Sequence, residues 1–170
     1  MFTTVTGLNS DSLYITMTGR SVWALLNAYY AVLRESAYRP TQIIILSEAE
    51  HAGQIPVVKK GLAILSDGYG IAPHVDVEQV QTGDFIEAGR KISARIKAGK
   101  EKGSKVAIDI TPGRKALVAG ALIPLANISV DHVFYLQITS TDDAAKPYMM
   151  IPLATQQLKD FCVSSPQVKP

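Results

Sequence analysis

The sequence predicts an α/β fold, a Rossmann-like three-layer arrangement around a mainly parallel central sheet of about six strands. Three observations predict it. Short β-branched and apolar runs alternate with segments of helical period that have the length of crossover connections. Ile43-Ile44-Ile45-Leu46 is a continuous apolar run, the pattern of a strand covered on both faces. Residues 106–120 read as an apolar strand, a Gly-containing turn and an apolar helix, the basic unit of such a fold. Right-handed crossovers are the expected connectivity.

The elements follow in order. Leu13 to Thr18 is a first strand, broken at Gly19-Arg20-Ser21. Ser21 is placed to cap a helix from Val22 to about Glu35, where Val22, Leu25, Leu26, Tyr29 and Val32 share a face. Arg39-Pro40 closes that unit, Gln42 to Leu46 is the second strand, and Ser47 to His51 a polar loop. A second helix spans about Gln54 to Ser66, with Pro56 in the first turn where its missing N–H is not needed, and Gly68 and Gly70 close it. His74 to Glu78 alternates like a half-buried strand nearer a sheet edge. Asp84 and Glu87 form a capping box opening a third helix through about Lys100, with Phe85, Ile92 and Ile96 facing inward. A strand over Lys105–Ile110, a loop over Thr111–Arg114 and a helix from Lys115 to about Ala126 follow. Val133 to Ile138 is a fifth strand, and Met149-Met150-Ile151 is read as a sixth, limited by Pro152. Residues 1–163 are expected to form one domain and 164–170 a polar tail or linker.

Composition narrows the function classes. The 47% hydrophobic and 19% charged shares are those of a globular domain with a real core. A net charge of +2 does not call for a long nucleic acid, so any polyanion site must come from local clustering. Cys162 is the single cysteine, which excludes a disulfide framework and a thiolate metal cluster. No 18-residue apolar run and no signal-peptide order is present; no membrane partner and a cytoplasmic location are therefore expected.

In an open α/β sheet, ligands bind beyond the carboxyl ends of the strands, where the strand order reverses. The loops expected at that edge are Thr18-Gly19-Arg20-Ser21, Ser47-Glu48, Thr111-Pro112-Gly113-Arg114-Lys115 and Gln137 to Thr141. If the first and fourth strands are neighbours, two cation-bearing loops converge with helix N-termini. Unpaired N–H groups, a helix dipole and the cations then suit phosphate oxygens. Each feature has a plainer reading. Thr-Pro-Gly is also turn chemistry, Arg20 and Lys115 singly are surface cations, and Ser21 is first of all a cap. The two loops at one edge favour function over those readings.

The histidines are scattered, with no metal-ligand spacing, so no metal or cofactor is expected. His51 lies just past the second-strand loop, whereas His74 and His132 start strands and fall at the opposite edge. The third helix carries several Lys and Arg but no interleaved aromatics, and reads as a solvated face. Neither a P-loop nor a Gly-x-Gly-x-x-Gly fingerprint is present.

Asp109-Ile110-Thr111-Pro112-Gly113-Arg114-Lys115, following an apolar strand, resembles the signature of CRISPR-associated Rossmann-fold (CARF) domains, and Gly19-Arg20-Ser21 fits their first-strand loop. The resemblance covers most of the chain. It implies a two-fold homodimer that binds cyclic oligoadenylate, most commonly cyclic tetra-adenylate, across its interface. The chain leaves no room for an attached effector and lacks an Arg-x-x-x-x-His pattern, so the resemblance is to stand-alone ring nucleases. It implies metal-independent attack of a ribose 2′-hydroxyl on the adjacent phosphorus, giving linear products with a 2′,3′-cyclic phosphate. Lys115, Arg20 and Ser21 are the implied catalytic residues. Thr18, Gly19, Ser47, Glu48, Thr111, Pro112, Gly113 and Arg114 are the implied ligand contacts. The rival expectations are a CARF sensor that holds the ring without cutting it, and a Rossmann-like protein for a phosphorylated metabolite.

Overall fold

Period-two alternation along the strands divides the core into two layers. The computed structural model describes residues 11–123 and 129–163. In β1 (Ser12–Met17), Leu13, Ile15 and Met17 face one layer and Tyr14 the other, as the pleat requires. β2 (Gln42–Glu48) and β4 (Lys105–Asp109) alternate likewise: Ile44, Leu46, Val106 and Ile108 on one face, Ile43, Ile45 and Ala107 on the other. Helices α1 (Val22–Glu35) and α2 (Ile55–Asp67) cover the Tyr14 face with Leu25, Tyr29, Val32, Val58 and Leu62. Helices α3 (Phe85–Glu101) and α4 (Lys115–Leu122) cover the other with Ile92, Ile96, Leu117 and Ala121. The result is the expected three-layer α/β fold.

With β3 (His74–Val80), β5 (His132–Ile138) and β6 (Gln156–Asp160), one six-stranded sheet has the order β3-β2-β1-β4-β5-β6. Every pairing is parallel except β5 with β6. The order runs outward from β1 to β3, then restarts with β4 on the other side of β1. The topological switch point therefore lies between β1 and β4.

Local expectations fare variously. Asp84 caps α3, its carboxylate accepting from Glu87 N–H at 2.9 Å. Pro56 sits in the first turn of α2. The sixth strand is not Met149–Ile151: Tyr148–Met150 is a 3₁₀ turn between Pro147 and Pro152, and Met149 and Met150 are exposed. The prolines forfeit the donors a ladder needs there. β6 instead begins after them and runs antiparallel to β5, with Leu158 packed inward as its one apolar contribution. Ser47 and Glu48 are not a loop but the buried end of β2, paired with Gln79 and Val80. The end of the helix expected to reach Ala126 and the tail 164–170 lie outside the described residues. No described helix is long and apolar enough to cross a membrane.

Candidate functional site

The turns after β1 and β4 meet at the switch point, and two glycines let them. A Cβ at Gly19 would fall on the backbone carbonyl of Pro112, and one at Gly113 would overlap Met17 and Val118. Neither turn could approach the other with a larger residue in place. The convergence expected if β1 and β4 were neighbours is thus built into the fold.

Beneath the turns stands Asp109, at the end of β4 and fully buried. Its Oδ2 accepts from the Thr16 hydroxyl of β1 at 3.0 Å and its Oδ1 from the Thr111 N–H at 2.9 Å. One carboxyl therefore ties both sides of the switch point to the turn that leads into α4. Burial pushes its pKa up to about 6 against the opposing effect of the bonds from Thr111 and Thr16. Tyr14, on the same face, is also held well above the ordinary phenol value by burial first and by the Asp109 charge second. The Thr111 hydroxyl accepts from the Leu136 N–H at 2.9 Å, which fastens the turn to β5 as well.

Glu48, 1% exposed, holds the other flank. Its carboxylate accepts from Arg114 through Nε at 3.0 Å and through Nη2, and from the Gly83 N–H at 3.0 Å. Burial opposes ionisation, but Arg114 and Gly83 more than offset it and Glu48 stays below the usual carboxylate range. The Arg114 guanidinium also reaches Glu50 at 3.3 Å and lies over the Phe85 ring. Thr18 and Ser47 are buried against each other, hydroxyl to hydroxyl at 3.3 Å. Gln54, a residue sequence reasoning missed, donates to the Gly19 carbonyl at 3.1 Å and abuts His51.

What these contacts leave open is a cationic rim. Arg20 and Lys115 are exposed and have no ion-pair partner among the described residues. Ser21 occupies the N-cap position of α1, yet its hydroxyl makes no cap bond. At the mouth of α4 the first backbone bond is Val118 N–H to the Arg114 carbonyl, 2.9 Å, so the amides before it point outward. The N-termini of α1 and α4, with Arg20, Ser21 and Lys115 beside them, thus lie at the carboxyl edge of the adjacent strands β1 and β4. Anionic oxygens complement that grouping. Glu48, Glu50 and His51 place donor atoms within 4.8 Å of one another, the spacing of a metal site. The Arg114 guanidinium already neutralises those carboxylates, so the set suits that cation rather than a metal ion. At the opposite, amino edge a cavity of about 310 Å³ is lined by Thr41, Gln42, His74, Arg95 and Lys102 among others. His74 and His132 lie at that far edge, as expected.

No family model matches the sequence, and no curated protein matches it. Solved structures do. Can2 from Sulfobacillus thermosulfidooxidans, in complex with cyclic tetra-adenylate, superposes over 78% of this chain at 13% identity and a TM-score of 0.55. A type III CRISPR defence DNA nuclease activated by cyclic oligoadenylate does so over 76% at 14% identity, TM-score 0.57. Enterococcus italicus Csm6, bound to cyclic hexa-2′-fluoro-hexa-dAMP, covers 82% at 10% identity, TM-score 0.54. The chain shares its fold with parts of these proteins. The chain corresponds to only 33% of Can2, 19% of the nuclease and 36% of Csm6, so in those proteins the shared fold is one part of a longer polypeptide.

Proposed function

We propose that this chain is a CARF domain that binds cyclic oligoadenylate, cyclic tetra-adenylate first among them, and that two copies share one ring. The observation that carries the proposal is the convergence of Arg20-Ser21 with Gly113–Lys115 at the switch point of this fold. Can2 and Csm6, which have the same fold, are each in complex with a cyclic oligonucleotide. A two-fold ring suits a two-fold pair of such crevices.

The same rim suits ring opening. A ribose 2′-oxygen forms a bond to the adjacent phosphorus, the bond from phosphorus to the 5′-oxygen breaks, and the proton leaving the 2′-hydroxyl is balanced by one gained at the 5′-oxygen. The products are a linear oligonucleotide with a 2′,3′-cyclic phosphate and a 5′-hydroxyl. Lys115 balances the charge that grows on the phosphoryl oxygens, helped by the outward amides of α4. Arg20 holds a neighbouring phosphate, and Ser21 orients phosphate or ribose. Thr18, Gly19, Ser47, Glu48, Thr111, Pro112, Gly113 and Arg114 shape the seat, with Glu48 acting through Arg114 and Thr111 through its backbone. No histidine is assigned here to move the proton, so turnover is expected to be slow by about 10²-fold or more.

A second reading, a sensor that holds the ring intact, is favoured by the fraction of each neighbour that this fold occupies. Incubating the protein with cyclic tetra-adenylate and resolving the products separates the two. Linear products that disappear in Lys115→Ala support cleavage; tight binding without products supports the sensor. A protein that ignores the ring contradicts both.

A further inference from the structure

Trp23 is the only tryptophan of the chain. It lies in the first turn of α1, two residues beyond Ser21 and three beyond Arg20, and is 41% exposed. Side chains on a helix lean towards its N-terminus, so the indole leans towards the carboxyl rim where the cations stand. Further along the same stripe, Asn27 and Tyr30 are covered. Asn27 donates to the Lys146 carbonyl and accepts from the Tyr148 N–H, each at 2.8 Å, and Tyr30 meets the Tyr148 ring edge-on at 4.9 Å. That packing stops short of Trp23, whose ring has no aromatic neighbour and whose N–H no acceptor among the described residues. Phe161, the other exposed Trp or Phe among the described residues, follows β6 and donates its N–H to the Val133 carbonyl at the amino end of β5, on the far rim.

Resting on the cyclic-oligoadenylate reading, we infer that Trp23 is the face on which an adenine base of the ligand stacks. Phosphate-seating cations attract any anion, whereas an indole beside them rewards only an anion that carries a base. A rigid aromatic with two rotatable bonds does this at little entropic cost. The residue would thus make the crevice selective for a nucleotide ring over inorganic or sugar phosphates.

Because the tryptophan is single, its emission reports on this site alone. Titrating the protein with cyclic tetra-adenylate is expected to change indole emission in step with binding followed by calorimetry, and inorganic pyrophosphate is expected to leave it unchanged. Trp23→Ala, checked for native circular dichroism, should weaken ring binding about tenfold or more, and Trp23→Phe should restore most of it. Calorimetric binding of the ring with equal affinity in wild type and Trp23→Ala, and with constant emission, overturns the stacking role while the ligand reading stands. No heat of binding to the wild type overturns the ligand reading and the stacking role together.

Discussion

At the scale of single residues, the site rests on buried groups that never touch the rim. Gly19→Ala puts a methyl group against the Pro112 carbonyl, and backbone cannot swing aside as a side chain can. It is expected to destabilise the fold by about 3 kcal/mol, which in a chain of this size lowers Tm by about 6–12 °C by scanning calorimetry. Asp109 gives a pH signature of opposite sign to most carboxylates. Its folded pKa is raised from 3.8 to about 6, so the folded state holds its proton longer than the unfolded chain does. The stabilisation this group gives is complete below pH 3.8 and is lost as pH rises to about 6, on the order of 3 kcal/mol in all. Asp109→Asn keeps the shape and cannot titrate. Urea midpoints measured from pH 4 to 8 should show that slope in wild type and lack it in Asp109→Asn; parallel curves contradict the assignment. Glu48 has the reverse sign, lowered from 4.5, and stabilises above that value and progressively less as pH falls through its folded pKa. Glu48→Gln should cost about 1–2 kcal/mol, below the full penalty for breaking a buried pair because Arg114 remains 33% exposed. It should also weaken ring binding by loosening the turn that carries Lys115, measurable by calorimetry; undiminished affinity would show that Arg114 does not position the turn.

At the scale of elements, what could be read from the sequence was whatever is encoded locally. The apolar run Ile43–Leu46, the alternation in β1 and the Asp84–Glu87 cap are short-range patterns, and each matches an observed element. The strand–turn–helix around Thr111–Lys115 was legible for the same reason. β6 was not, since Gln156–Asp160 holds one apolar residue and becomes a strand because β5 offers it an edge. Nor was the burial of Glu48, whose partner Arg114 is 66 residues away, or the link from Asp109 to Thr16 across 93 residues. An aspartate ending an apolar strand is the signal that could have found the latter, because a buried carboxyl must find donors. Ser21 shows the converse: its position as a cap was legible, but its hydroxyl makes no cap bond.

At the scale of the whole molecule, the switch point turns a linear sequence into a surface. β1 and β4 are far apart in the chain and adjacent in the sheet, so Arg20 and Lys115 are brought to one rim. On the proposed function a single crevice of this kind would hold phosphate and two related by a two-fold axis would seat a ring of nucleotides, which makes stoichiometry the property to measure. Isothermal titration of the wild-type chain with cyclic tetra-adenylate, read with light scattering of the complex, tests this most directly. One ring per two chains, with binding abolished or strongly weakened in Lys115→Ala, is the predicted result. One ring per single chain, or affinity that ignores Lys115, would contradict it.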